Sequence, residues 1–79
     1  MRLIEALWES YKNKVLPKDA PEIQISETRL AFYAGANGLF KTILNLLGPG
    51  EEPTDSDLRM MDEIDRELKD FIAQLPGRN

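Results

Sequence analysis

Between Ser26 and Leu47 the sequence SETRLAFYAGANGLFKTILNLL leaves a helix almost no side for water. At helical spacing, Leu30, Tyr33, Ala34, Asn37, Phe40, Leu44 and Leu47 form one stripe, and Phe32, Ala36, Leu39, Ile43 and Leu46 a second. A small or polar line of Ala31, Gly35, Gly38, Thr42 and Asn45 runs between them. A helix that is apolar nearly all round must be covered, and 79 residues supply few other elements to cover it. The expected fold is all-α: a three-helix unit with a largely apolar central helix, self-associating.

The size of the chain sharpens this expectation. A core built from so short a chain supplies only about 3–5 kcal/mol unless a staple is added. There is no cysteine and no histidine, so a disulfide and a thiolate or imidazole metal site are both excluded, and oligomerisation is the common staple that remains. The lack of cysteine also fits a cytosolic protein.

The two remaining segments read as single-faced helices. From Leu3 to about residue 16, Ile4, Leu7, Trp8, Tyr11 and Val15 share one face, and Pro17 stops the helix because the residue before proline avoids the helical region. The link PKDAPEIQI reads as an extended connector, with Ile23 and Ile25 available to pin it to the core. Ser26 is the expected N-cap of the second helix, with Ile25 and Leu30 as a hydrophobic staple, and Gly48-Pro49-Gly50 is its expected end. Thr54 with Asp57 three residues later marks the start of a third helix, on which Leu58, Met61, Ile64, Leu68, Phe71, Ile72 and Leu75 make a narrow stripe. Asp55 with Arg59, Asp62 with Arg66, and Asp65 with Lys69 are expected i, i+4 ion pairs, and Pro76-Gly77 the stop. The whole, 1–79, reads as a single helical domain with helices at about 3–16, 26–47 and 55–75.

Charge narrows the choice of partners. Residues 1–47 carry six Lys or Arg against five Asp or Glu, a net of +1, and residues 48–79 carry four against nine, a net of −5. An acidic C-terminal third argues against long nucleic acids, which need a basic surface, and against anionic membranes. No apolar run approaches the roughly 20 residues of a spanning helix, and Glu5 and Glu9 interrupt the start as a signal peptide.

One ridge carries binding chemistry: Arg29, Tyr33, Asn37 and Lys41, each four residues after the last. Two cations, a phenol and an amide on one side of a helix suit a phosphorylated, ring-bearing small molecule. Trp8, Tyr11 and Lys12 on the first helix form a second aromatic-plus-cation cluster to close over it. The competing reading makes Tyr33 core, leaves Arg29 and Lys41 solvated, and makes Asn37 a buried amide that fixes helix register. Gly35 and Gly38 each cost about 1 kcal/mol in a helix, which suggests a close backbone approach by another helix or a ligand. The acidic cluster Asp62, Glu63, Asp65 and Glu67 fits magnesium poorly, since Asp62, Glu63 and Asp65 do not share a face in the required way and two of the acids have cationic partners at i+4. A serine, cysteine or histidine nucleophile system is lacking. No catalytic residue, metal or cofactor is expected, and the protein is not expected to be an enzyme.

The phrases ETRLAFYAGA (Glu27 to Ala36) and EEPTDSDLRMMDEIDRELKDF (Glu51 to Phe71), preceded by LWESYKNKVLP, resemble a set of small phage and prophage accessory proteins without an assigned active site. No residue role comes with the resemblance. It implies a setting: the cytoplasm of a bacterial host, and an anti-defence protein that docks on a host defence protein or sequesters a nucleotide messenger. The expectation is a non-enzymatic sponge for a small nucleotide-derived immune signal. Arg29 and Lys41 would hold phosphates, Tyr33 with Trp8 or Tyr11 would stack the base, and Asn37 would read a polar edge. The alternatives are a protein-binding inhibitor or assembly module with an apolar helical groove, and a structural oligomer without a ligand.

Overall fold

In the computed structural model, which describes residues 1–47, 50 and 52–75, the protein is all-α with three helices. They are α1 (Leu3–Val15), α2 (Glu22–Leu46) and α3 (Asp55–Gln74). The chain groups into two compact units, Met1–Leu44 and Asn45–Asn79. The first holds α1 and most of α2; the second is built on α3.

Helix α1 ends as its sequence dictates. Leu16 is extended (φ −79°, ψ 142°), the conformation a following proline imposes, and its amide donates to the Lys12 carbonyl at 3.1 Å. The connector departs from expectation. It is a tight turn in which the Ala20 amide donates to the Pro17 carbonyl at 3.1 Å, and α2 begins at once after Pro21. The Pro21 carbonyl accepts the Ile25 amide at 3.1 Å, the first bond of the helix. Proline loses nothing at a helix start, where its missing N–H would be unpaired anyway, and Glu22 in the first turn suits the positive end of the dipole.

Ser26 is therefore not the N-cap: it lies inside α2 and its hydroxyl donates to the Ile23 carbonyl at 3.3 Å. The proposed staple of Ile25 and Leu30 falls with it, and Ile23 is exposed rather than pinned. At the far end, Gly48 and Pro49 lie outside the described residues. Gly50 takes φ +118°, a region that favours glycine.

Helix α3 starts where expected. The Thr54 hydroxyl accepts the Asp57 amide at 3.0 Å, and the Asp57 carboxylate accepts the Thr54 amide at 3.0 Å, a reciprocal capping box. Asp57 is buried by this arrangement. Arg66 pairs with Asp62 at 3.0 Å and Lys69 with Asp65 at 2.8 Å. The Asp55–Arg59 pair does not form among the described residues. The helix closes when the Leu75 amide donates to the Ile72 carbonyl at 3.2 Å. Pro76 and Gly77 lie outside the described residues.

Little of the apolar surface is covered. Trp8, 2% exposed, is the one buried apolar side chain among the described residues. It packs on Tyr11 (ring centroids 6.1 Å apart) and on Phe32 of α2 (5.6 Å), and Tyr11 also meets Phe32 at 5.5 Å. This three-ring cluster joins α1 to α2. Within α2 no residue is buried. Among the described residues, no helix is long and apolar enough to cross a membrane.

Candidate functional site

The ridge on α2 lies on one helix, and its first two members meet. The Arg29 guanidinium lies over the Tyr33 ring, 4.8 Å from its centroid, an arrangement in which the cation meets the negative face of the ring. Tyr33 also meets Phe32 at 6.4 Å, with the rings inclined at 64°. Its hydroxyl oxygen is shielded from solvent and has no hydrogen-bond partner among the described residues. Arg2, ion-paired to Glu5, has its pKa raised above the ordinary arginine value, chiefly by the Glu5 hydrogen bond and charge and in lesser part by Tyr33.

Two cavities share Tyr33 as a wall. One, of about 410 Å³, is lined by Leu3 and Ile4 of α1 and by Tyr33, Ala36, Asn37 and Phe40 of α2. The other, also about 410 Å³, is lined by Ser26, Glu27, Arg29, Leu30 and Tyr33. Arg29 and Asn37 thus border different cavities. Lys41, one turn beyond Asn37, is exposed.

The first-helix cluster does not form the expected lid. Trp8 is core: its ring is sealed between Tyr11 and Phe32 and offers no face to a ligand. An indole on the apolar side of a short helix gains more by burial than any other residue there. Tyr11 keeps partial exposure but packs on the same two rings. Lys12 pairs with Glu9 at 3.2 Å and borders a separate cavity of about 400 Å³ with Asn13, Leu16, Pro17, Lys18 and Ile25.

The glycines are open as well. Among the described residues, a Cβ built on Gly35 or Gly38 meets nothing within 4 Å. Leu3, Ile4, Ala36 and Phe40 line the cavity but are not among the site residues expected from the sequence, where the last three stand only in apolar stripes. The signal for the first two was their place at the start of α1, on the turn before Trp8. Among the described residues, no group of three or more Asp, Glu, His or Cys is placed to hold a metal.

Fold and site define an all-α protein of three helices whose central helix is largely apolar and has no buried residue. Compared with known proteins, the chain matches no family model, no curated protein and no solved structure.

Proposed function

We propose that this is a non-enzymatic binding protein that works by association, docking the uncovered apolar side of α2 on a protein surface, in the first place that of a second copy. One observation carries this reading. A 25-residue helix, apolar on most sides, buries none of its residues, and Leu30 and Phe40 stand 72% and 61% exposed. Each large apolar side chain moved from water to an interface contributes about 1.5–3 kcal/mol, and a contiguous exposed apolar patch marks an interaction site. Sedimentation equilibrium at low micromolar concentration tests it. The expected mass is a multiple of the 9.0 kDa chain; a folded, stable monomer overturns the reading.

A second reading rests on the Arg29–Tyr33 stack beside Asn37. In it the assembled protein is a phage-type anti-defence sponge in the host cytoplasm and sequesters a small nucleotide-derived signal. Arg29 and Lys41 hold phosphates, Tyr33 stacks the base after Arg29 moves aside, and Asn37 reads a polar edge; Trp8 takes no part. Calorimetry against cyclic dinucleotides and ADP-ribose derivatives tests it. Arg29→Ala should weaken binding by about 1.5–3 kcal/mol, the contribution of a charged hydrogen bond, with helicity unchanged. Absence of heat across the panel, with the assembly intact, leaves the protein-docking reading alone.

A further inference from the structure

On a side of α2 other than the one that carries Phe32, residues recur in alternating steps of three and four: Ile23, Ser26, Leu30, Tyr33, Asn37, Phe40 and Leu44. This is the spacing of the inward positions of a heptad, held over three repeats, and it is the pattern of a helix that pairs along its length with another. Ile23, Leu30, Asn37, Phe40 and Leu44 are exposed, and Tyr33 is half-buried. The cavity beside the seam has a matching frame. Tyr33, Ala36, Asn37 and Phe40 stand at i, i+3, i+4 and i+7, the four corners of a hole that receives a knob from a facing helix, and Leu3 and Ile4 close its other side.

We propose that the seam is filled by the same seam of a second copy running antiparallel, with the pairing centred at Gly35. This rests on the association reading above and adds the partner's direction and register.

Charge selects the direction. One flank of the seam carries Glu27 and Lys41, both exposed and two heptads apart, with Ala34 midway between them. An antiparallel partner sets Glu27 against the second copy's Lys41, and Lys41 against its Glu27, closing two ion pairs by symmetry. A parallel partner sets Glu27 against Glu22 and leaves Lys41 beside Ala36. A two-fold axis uses one patch twice, which is what a self-complementary flank requires.

The polar groups select the register. Antiparallel pairing about Gly35 brings Leu30 of each copy opposite Phe40 of the other, and Tyr33 of each opposite Asn37 of the other. The Tyr33 hydroxyl is shielded and without a partner among the described residues of the single chain; a turn of the ring toward the seam on pairing brings it to the partner's exposed amide, and the amide to a donor. A single polar layer within an apolar seam fixes register, because any slip leaves buried polar groups unpaired.

The chain has no cysteine, so introduced thiols report the pairing without background. Glu27→Cys and Lys41→Cys chains, mixed and oxidised, are expected to form a covalent heterodimer of 27 with 41. Leu44→Cys alone should not link to itself, because antiparallel pairing holds its two copies tens of ångströms apart at about 1.5 Å rise per residue. A strong Leu44→Cys homodimer, with the 27–41 link missing, overturns the register and leaves association standing. A monomer by sedimentation overturns both. Charge exchange at these exposed positions gives a second test that spares the fold. Glu27→Lys should weaken association by roughly three- to tenfold, and adding Lys41→Glu to the same chain should restore it. If the double exchange does not recover affinity, the ion pairs are not across the seam and the proposal fails.

Discussion

Trp8 of α1 and Phe32 of α2 meet edge to face, ring centroids 5.6 Å apart and planes inclined at 61°. The geometry suits two ring quadrupoles and contributes about 0.5–1.5 kcal/mol beyond the area buried. Trp8 is the fully buried side chain of the first unit, so its removal should be the costliest single change there. Trp8→Ala is expected to cost about 3–5 kcal/mol, enough to unfold the α1–α2 unit at the stability a chain of this size commands. Urea unfolding followed by circular dichroism checks it; a variant that stays fully helical with an unchanged midpoint would show that α1 is held by other contacts.

The capping box should be the most sensitive point of α3. Thr54→Ala removes the acceptor for the Asp57 amide and is expected to destabilise α3 by about 1 kcal/mol. Asp57→Ala should cost at least as much, since it frees the Thr54 amide and empties a buried position. Thermal melts of the two variants and of the double variant give the coupling, and strict additivity would mean that the two bonds act independently.

Gly35 should be replaceable. A Cβ there meets nothing within 4 Å, and alanine in a helix interior is better than glycine by about 0.5–1 kcal/mol. Gly35→Ala is expected to raise the melting temperature and leave the oligomeric state unchanged, the position facing away from the proposed seam. A lower melting temperature would place another backbone against Gly35 in the assembled protein.

Alkaline pH should loosen α3 slightly. Lys69 has its pKa raised above 10.5 by its hydrogen bond and charge interaction with Asp65. A raised lysine contributes stability that is complete below the unfolded value and is lost as pH rises through the folded one. Helicity is therefore expected to hold through neutral pH and to decline only above 10.5. Lys69→Gln should remove the part of the decline due to this pair, read as ellipticity against pH. The side chain is exposed, so the effect is small and should fade in salt.

What the residues disclosed in advance depended on how local the governing force was. The cap of α3 and two of its ion pairs rest on neighbours three or four residues apart, and both were legible. The start of α2 was misread because Ser26, with Ile25 before it and Leu30 after, imitates a cap and staple. The competing signal, Pro21 followed by Glu22, starts the helix earlier and leaves Ser26 to bond back within it. The ridge on α2 could be drawn from spacing alone, but not which aromatic would be core. That choice between Trp8, Tyr11 and Tyr33 is made by packing across two helices, which single-chain periodicity does not encode.

The turn that closes between Pro17 and Ala20 has a kinetic consequence. It places α1 and α2 next to each other in sequence as well as in space, so the Trp8–Phe32 contact forms without closing a long loop, and the capping box of α3 needs only four consecutive residues. Chains dominated by such short-range contacts fold on the order of microseconds to milliseconds. Under the pairing proposed above, each helical piece would be complete before a second copy arrives, and the rate of assembly would be set by encounter, rising with concentration, rather than by folding.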